Sequence, residues 1–452
     1  MVLGGIIKST FNLKLGISIK GAFISKALWL LAVSFWVFST SSHSQTLGLE
    51  GQVIIGYQGW FGCPNDFDGN KSWIHWFNGP ALKENLTVEM FPALDEYKAE
   101  DLCDTGIVRP DGKETLKLFS SQNPNIVNKH FEWMKQYGIQ TIAAQRFISQ
   151  TLNPRAKKRS DNVLNNIQNA AITHGRSFYV AYDISGGNPK TVIDDVRNDW
   201  IYLSNQLQVR KSAAYLRVNG KPVIQLWGFG FTGHPGESEE VRVFIEDLKN
   251  GRNGLPASIV IGGVPAHWRT LDGDSKGELG WSKTYRTYNF ISPWSVGRFS
   301  NPESEARFMR DIVAPDLVET RRLGIGYIPV IFPGFSWKNL MLVRNQKTQA
   351  IHNQIPRNCG NFIWQQIQGL LRLKVSSIYI AMFDEVDEGT AIFKTIQNNK
   401  NVPAGIQVVT MSEDSCEVTN DWYLRIAGKL AEYLRPGYRD NIDSQPYSMP
   451  TR

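Results

Sequence analysis

The residues best suited to chemistry are four carboxylates within five positions, Asp384, Glu385, Asp387 and Glu388. They follow directly on an apolar run, residues 377–383, whose composition predicts a buried strand. Carboxylates this close repel one another, so at least one should keep its proton near neutral pH. A protonated carboxyl beside an ionised one is what acid–base cleavage of a glycosidic bond requires. We therefore predict that Glu385 and Glu388 are catalytic, although a solvated acidic loop or a cation-binding loop would have the same composition.

Other catalytic chemistries lack their sequence signatures. The chain has no G-x-S-x-G elbow, no H-E-x-x-H pair among its seven histidines, and no glycine-rich phosphate-binding loop after a strand. His75, His234 and His267 stand far apart in the sequence and do not form a metal-binding motif. We therefore expect no metal and no cofactor.

The elements that would position these residues form one repeating pattern after residue 50. An apolar run, a polar or aromatic loop and a helical pattern follow one another eight times. Unbroken hydrophobicity is typical of parallel strands buried on both faces. Strands that alternate with helices predict a single-domain (β/α)8 TIM barrel, an α/β fold, over residues 45–436. The eight runs are residues 53–57, 141–144, 178–182, 223–227, 259–263, 290–292, 328–332 and 377–383.

The segments between the runs carry apolar residues at helical spacing. Val241, Phe244 and Leu248 are an example, since they fall on one face of a helix. Asn420 stands where it would cap the last helix. The unit from 259 to 290 has the weakest helical pattern of the eight.

In such barrels the active site lies at the C-terminal ends of the strands. Tryptophan follows several of the predicted strands, and aromatic walls with hydrogen-bonding side chains suit sugar rings. A single tryptophan is more often core than ligand platform, and each arginine at these ends would equally fit an ion pair at the rim. The residues that we expect to contact substrate are Tyr57, Trp60, Arg146, Tyr182, Asp183, Trp227, Trp268, Trp294, Arg298, Trp337, Asp384 and Asp387.

Residues 1–44 have the composition of a targeting segment. They carry four lysines and no acidic residue, with an apolar stretch over residues 27–38 followed by small polar residues. This pattern predicts a secretory signal peptide or, because the flank before the stretch is long, a type II membrane anchor. Both alternatives place the body of the chain outside the cytosol. Residues 437–452 are predicted to form an irregular tail.

The net charge of +7 does not indicate a nucleic-acid partner. Four of the positive charges lie in residues 1–44, and no dense stripe of lysine and arginine with interleaved aromatics follows. The expected partner is a carbohydrate substrate. Residues 70–72 and 85–87 match the acceptor motif for N-linked glycans.

Four cysteines, Cys63, Cys103, Cys359 and Cys416, lack the spacing of a zinc module. An even number outside the cytosol favours two disulfides, for which three pairings exist. The plainest pairing joins neighbours in the sequence, 63 with 103 and 359 with 416. Buried free thiols are the alternative.

The segment FDEVDEGT, residues 383–390, resembles the signature loop of glycoside hydrolase family 99, the endo-α-mannosidases, and of the related family 71. That loop reads E-W-H-E-G, and its glutamates and glycine match Glu385, Glu388 and Gly389. The resemblance spans residues 53–435 and implies a (β/α)8 barrel that cleaves with retention and needs no metal. Four more motifs are similar to a branch sometimes labelled xylosidase/arabinosidase: GYQGWF (56–61), QRF (145–147), ISPWSVGR (291–298) and VIFPGFSW (330–337).

The same resemblance implies roles for the two glutamates. Glu385 would take the proton of the sugar 2-hydroxyl, which attacks C1 to form a 1,2-anhydro sugar. Glu388 would protonate the leaving oxygen and then activate the water that opens the ring. The chain has Val386-Asp387 where the mannosidases have Trp-His, so mannosidase specificity does not carry over. Two other functions fit the residues, a sugar-binding barrel without catalysis and a barrel lyase that uses Tyr and Arg.

Overall fold

A computed structural model describes residues 49–435 and 447–451. The predicted signal or anchor segment lies outside these ranges, as does most of the predicted tail. Residues 447–451 form neither helix nor strand. Within the described ranges, every helix is too short or too polar to cross a bilayer.

Parallel strands form a closed barrel. The described part of the chain has the strands β1 (Val53–Tyr57), β2 (Leu102–Val108), β3 (Thr115–Phe119), β4 (Thr141–Phe147), β5 (Ser177–Asp183), β6 (Arg217–Val218), β7 (Lys221–Trp227), β8 (Ile259–Val264), β9 (Phe290–Pro293), β10 (Gly326–Tyr327), β11 (Val330–Ile331) and β12 (Ile378–Ile380). All of them except β2, β3 and β6 belong to the barrel. The barrel sheet has the order β10-β9-β8-β7-β5-β4-β1-β12-β11. Because β10 and β11 are two parts of one stretch and pair with β9 and β12, the sheet closes on itself. The predicted (β/α)8 barrel is confirmed.

Helices follow the barrel strands. They are α1 (Pro124–Gln136), α2 (Ile148–Thr151), α3 (Pro154–His174), α4 (Val192–Asn205), α5 (Ser238–Asn250), α6 (Leu279–Tyr285), α7 (Pro302–Phe308), α8 (Ala314–Leu323), α9 (Lys338–Val343), α10 (Asn361–Arg372) and α11 (Trp422–Leu434). α6, in the unit with the weakest helical pattern, has only seven residues. The prediction that Asn420 caps α11 is wrong, because Asp421 holds the cap position and makes no capping side-chain bond there.

The structure has a hairpin between β1 and α1 that the apolar runs do not predict. Its strands β2 and β3 pair antiparallel, and most side chains of β2 are exposed or only half-buried. A strand of this kind has no unbroken apolar run, so the pattern that predicts the barrel strands does not detect it.

The two disulfides join neighbouring cysteines, as predicted, Cys63 to Cys103 and Cys359 to Cys416. The first connects the segment after β1 to the hairpin, and the second connects the start of α10 to the segment before α11. They close loops of 40 and 57 residues. Loops of this length stabilise a fold by about 4 kcal/mol each in the chain-entropy account.

Candidate active site

The acidic loop after β12 is held in place through its backbone. The N–H of Glu89 donates to the carbonyl of Val386 at 2.8 Å, and the N–H of Ser336 donates to the carbonyl of Glu388 at 3.0 Å. Glu89 also accepts hydrogen bonds from the Ser336 hydroxyl and from the N–H of Asn339, the second residue of α9. The loop is thereby fixed to the segment that follows β11.

Asp384 joins the acidic loop to the end of β1. Its side chain is fully buried, and its two oxygens accept the backbone N–H groups of Gln58 at 2.7 Å and Gly59 at 2.8 Å. Burial nevertheless raises the pKa of Asp384 to about 7, because two hydrogen bonds do not replace the lost solvent. Asp384 was expected to contact substrate, but in the structure both of its oxygens are used to position the loop.

Glu385 is buried and held at both oxygens. The Gln58 amide donates to Oε1 at 2.6 Å, and the Thr390 hydroxyl donates to Oε2 at 2.7 Å. Burial raises the pKa of Glu385 well above its usual value, and the charges of Glu388 and Asp387 raise it further. The carboxyl thus has one orientation and a strong electrostatic link to its neighbours.

Glu388 has a different environment from Glu385. It is half-buried, and no hydrogen bond to its carboxyl is present among the described residues. Burial raises its pKa to about 7; the charges of Asp387 and Asp183 contribute to this rise, and Arg344 opposes it. A carboxyl with this pKa can give and take a proton near neutral pH.

Glu385 and Glu388 form an electrostatically linked pair. Two negative charges are disfavoured in a buried site, so the pair retains a proton near neutral pH. Glu385 is held by hydrogen bonds, whereas the Glu388 carboxyl has no hydrogen-bond partner among the described residues. This asymmetry is what a division of labour between two catalytic carboxyls requires.

Four of the predicted tryptophans lie half-buried at the strand ends. Trp227 and Trp294 meet edge to face with ring centroids 5.4 Å apart, and Trp60 stacks on Phe147 at 5.0 Å. Trp337 lies directly before α9. The indole N–H groups of Trp60, Trp227 and Trp337 are buried, and none of them has a hydrogen-bond partner in the part of the chain that the structure describes.

Asp183 lies on the same side of the barrel wall as Trp227. The two residues are register partners on β5 and β7, and burial raises the pKa of Asp183 to about 6. Gln145 donates to the Tyr379 hydroxyl at 3.0 Å, and the charges of Asp183 and Glu385 act on that tyrosine. These contacts place polar groups from β4, β5 and β12 around the glutamate pair.

Four predicted substrate contacts are internal residues of the structure. The Tyr57 hydroxyl bonds to His130 at 2.8 Å, and the Trp268 indole donates to Asp316 at 2.8 Å. Arg146 forms a bidentate ion pair with Asp199, which also accepts the Tyr182 hydroxyl at 2.7 Å. Tyr57, Arg146, Tyr182 and Trp268 are buried, and their polar atoms have protein partners except Nη1 of Arg146, which has none among the described residues. The structure therefore differs from the expectation that these four residues contact substrate.

Arg298 lies at the rim rather than in the site. Its guanidinium pairs with Asp274 at 2.7 Å, and the Asp274 carboxylate also accepts from His267 at 2.9 Å. This arrangement corresponds to the alternative of an ion pair at the rim. The contact with a sugar that we expected of Arg298 has no support in this geometry.

Asp387 lies beside the glutamate pair. Its Oδ2 is 3.4 Å from Nδ1 of His75, and its Oδ1 is buried with no partner among the described residues. Four residues of the site were not predicted as such, Gln58, His75, Arg344 and Thr390. Gln58 and Thr390 lie within the motifs GYQGWF and FDEVDEGT, but His75 and Arg344 stand in loops without a sequence signal. Within the described ranges, no group of three or more His, Cys, Asp or Glu side chains is arranged to hold a metal ion.

Comparisons with known proteins identify the fold. No family model and no curated protein sequence matches the chain. Among solved structures, the chain is similar to the GH99 endo-α-mannosidase from Bacteroides thetaiotaomicron, with a TM-score of 0.58 and 14% identity over 86% of this chain and 98% of that one. The structure of this mannosidase in complex with bis-tris-propane gives a TM-score of 0.57 and 15% identity over the same shares of the two chains. The chain therefore has a fold like that of the family 99 glycoside hydrolases, in agreement with the resemblance of its sequence motifs.

Proposed function

We propose that the protein is a retaining glycoside hydrolase that acts on a poly- or oligosaccharide. The observation that carries this proposal is the pair of carboxyls at the C-terminal end of the barrel, of which Glu385 is buried and held by hydrogen bonds and Glu388 is half-buried. Glu385, held by Gln58 and Thr390, is suited to act as a base of fixed direction. Glu388, without a hydrogen-bond partner in the described chain and with a pKa of about 7, is suited to be the general acid and base.

The surroundings of the pair support a sugar as the substrate. Trp60, Trp227 and Trp337 each bring an aromatic ring and an unpartnered N–H donor to the strand ends. Sugars present apolar C–H faces and many hydroxyls, so they complement such groups. The fold, which is like that of a family 99 endo-α-mannosidase, is consistent with this substrate class.

The proposed reaction passes through a 1,2-anhydro sugar. Glu385 takes the proton of the sugar 2-hydroxyl, whose oxygen then bonds to C1 as Glu388 gives its proton to the leaving oxygen. Glu388 next takes a proton from water, and the water oxygen bonds to C1 and opens the three-membered ring. O2 recovers its proton from Glu385, so both carboxyls return to their starting states. Two inversions at C1 give net retention.

The domain arrangement in this proposal follows the sequence. Residues 1–44 act as a signal peptide or membrane anchor, residues 45–436 form the catalytic domain, and residues 437–452 are a tail. Two disulfides support a location outside the cytosol, since disulfides persist in oxidising compartments.

A substrate screen tests the proposed function. The full-length chain and its Glu388→Gln variant are incubated with α-mannans, α-glucans, arabinoxylans and N-glycans, and sugar release is read by mass spectrometry. Release by the wild type alone supports the hydrolase and names its substrate class. Binding of a glycan by both proteins without release by either would favour a carbohydrate-binding barrel instead. An unsaturated sugar product would favour a lyase.

The role of the 2-hydroxyl is tested with modified substrates. We expect a substrate whose 2-hydroxyl is replaced by hydrogen to bind and remain uncleaved, because the proposed attacking oxygen is missing. With a 2-fluoro substrate, we expect no sugar to become covalently attached to the protein. Accumulation of a glycosyl–glutamate adduct, detected by intact-protein mass spectrometry, would replace this route with direct attack by a carboxylate.

The pH profile of kcat should respond to two neighbouring charges in opposite directions. Leaving-group protonation needs the proton of the Glu385–Glu388 pair to lie on Glu388, so activity falls as pH rises through the pKa at which the pair loses this proton. Asp387→Asn removes a charge that raises this pKa, so the alkaline limb should move to lower pH. Arg344→Gln removes a charge that lowers it, so the limb should move to higher pH. Because Arg344 is exposed, its effect should shrink in high salt.

A matched control for the pH experiment is Lys347→Gln, which removes an exposed cation from the same loop. It should leave the alkaline limb in place. Identical profiles for the wild type, Asp387→Asn and Arg344→Gln would show that Glu388 does not govern this limb.

A further inference from the structure

We propose that His75, Asp387 and Trp60 form a subsite beside the glutamate pair that binds a neutral sugar unit through its hydroxyls. The inference rests on the proposed function, because it concerns the same cleft, and it names the class of sugar that the cleft selects. The residue that leads to it is His75, which belongs to the long segment between β1 and α1 and reaches the acidic loop across the sequence.

The first observation is an unsatisfied carboxylate oxygen. Asp387 is only 4% exposed, and Oδ2 lies 3.4 Å from Nδ1 of His75. Its Oδ1 is buried and has no hydrogen-bond partner within residues 49–435 and 447–451. A buried carboxylate oxygen without a donor is costly, so such an atom points to a donor that arrives from outside the chain. The charge of Asp387 acts on both Glu385 and Glu388, so this oxygen belongs to the catalytic cleft.

The second observation is a stack of aromatic rings that fixes His75. The imidazole lies on the Trp60 indole with centroids 4.1 Å apart and planes within 7°, and Trp60 also stacks on Phe147. The His75 side chain remains 30% exposed. His75 is thus held mainly through its ring, and part of its side chain stays open to solvent.

The hydrogen-bond donors and acceptors of His75, Asp387 and Trp60 favour a ligand that carries hydroxyl groups. In the tautomer whose Nδ1–H donates to Asp387, Nε2 of His75 is an acceptor. The free Oδ1 of Asp387 is also an acceptor, and the unpartnered Nε1–H of Trp60 is a donor. Two adjacent hydroxyls can donate to the two acceptors, whereas a carboxylate or sulfate has no proton to donate.

The negative charge of the cleft also favours a neutral sugar over a negatively charged one. Asp183, Glu385, Asp387 and Glu388 are acidic, and Arg344 is the cation whose charge acts on the pair. A sugar with a carboxylate would be repelled by Asp387 and would find no counter-ion in the subsite. The expected occupant is therefore a neutral pyranose or furanose unit rather than a uronic acid or a sulfated sugar.

Saturation-transfer NMR on the full-length chain tests the subsite without requiring turnover. The probes are methyl α-mannopyranoside, methyl α-glucopyranoside and methyl β-xylopyranoside, with methyl α-glucuronide as the charged counterpart. We expect at least one neutral glycoside to bind and the glucuronide not to bind. His75→Asn should weaken binding of the neutral probe about tenfold, the value for one lost hydrogen bond of ordinary strength.

The choice of asparagine keeps the backbone intact. His75 has a φ of 59°, in the left-handed region, and asparagine tolerates this conformation better than other non-glycine residues. The matched control is His174→Asn on the last turn of α3, where the imidazole contacts Asn128 at 2.9 Å. Both variants should melt close to the wild type, and only His75→Asn should lose the probe.

A second variant tests the charge. Asp387→Asn should let the glucuronide bind, since it removes the repelling charge and supplies a donor.

Unchanged binding of neutral probes by His75→Asn, or equal binding of glucuronide and neutral probes by the wild type, would overturn the subsite. If His75-dependent binding is seen but no glycan is cleaved, the proposed hydrolase fails while the subsite stands. If glycans are cleaved equally by the wild type and by His75→Asn, with an unchanged KM, only the subsite fails.

Discussion

Glu388→Gln should lower kcat on glycans by about 10²- to 10⁴-fold while the protein folds normally, which is the usual contribution of a general acid. Glutamine keeps the size of the side chain but has no proton that it can give to the leaving oxygen. The loss should be much smaller on aryl glycosides with an acidic phenol as leaving group, since such a group departs without protonation. Kinetics on a glycan and on an aryl glycoside of the same sugar measure the difference.

Glu385→Gln should lose comparable activity on both kinds of substrate. The proposed base takes its proton from the sugar, so the quality of the leaving group does not compensate for its loss. The hydrogen bonds from Gln58 and Thr390 hold this carboxyl in one direction, which suits attack on a defined hydroxyl. A variant that retains substantial turnover on glycans would remove its residue from the mechanism.

The matched control for these two variants is Glu240→Gln on the exposed face of α5. It makes the same change of side chain far from the acidic loop and should leave all rates unchanged. Thermal unfolding of the three variants separates loss of chemistry from loss of fold. If Glu388→Gln is equally impaired on aryl glycosides and glycans, Glu388 does not act as the general acid.

The fold was predictable because it depends on a strong one-dimensional signal. Barrel strands are buried on both faces, so each appears as an unbroken apolar run, and all five residues of β1 are buried. Boundaries were less predictable: residues 328–332 look like one strand, but the chain forms β10 and β11 to close the ring. The hairpin of β2 and β3 was missed because its side chains are largely exposed.

The sequence predicts where the candidate site lies in the fold, but it does not predict all of the side chains that the structure brings together there. Proximity to a strand end is visible in a sequence, whereas the face of the sheet to which a side chain points is not. Tyr57 pairs in register with Ala144, which shares its face of β4 with Arg146, and Arg146 pairs with Tyr182. These side chains all point outwards to the helices.

The residues one step further along point the other way. Phe147 pairs with Asp183, and Asp183 pairs with Trp227, which gives a row on the opposite face of the wall. Successive side chains of a strand alternate between faces, so a shift by one residue decides between core and cleft. A prediction that uses only the ends of the strands therefore includes the outward-pointing side chains as well as those on the opposite face. It does not detect His75 and Arg344, because they come from loops that approach the site in three dimensions only.

The buried cluster around Arg146 should therefore respond as a structural element. Asp199→Ala should lower the free energy of unfolding by about 3 kcal/mol, because it leaves the Arg146 cation buried without its bidentate partner. Asp161, at 2.9 Å from Arg146, retains one contact and keeps the loss at the lower end of the range for such pairs. Chemical denaturation measures the change, and the KM for the glycan identified in the screen should stay the same.

Arg146→Met should destabilise the fold in the same way, since it leaves Asp199 with only the Tyr182 hydroxyl. The double variant Arg146→Met/Asp199→Ala removes both charges together, so its loss of stability should be well below the sum of the single losses. A substrate-binding arginine would behave differently: its replacement would raise KM, and removing Asp199 as well would restore neither affinity nor stability. The sign of the coupling thus decides whether Arg146 belongs to the wall of the barrel or to its cleft, which its position at a strand end leaves open.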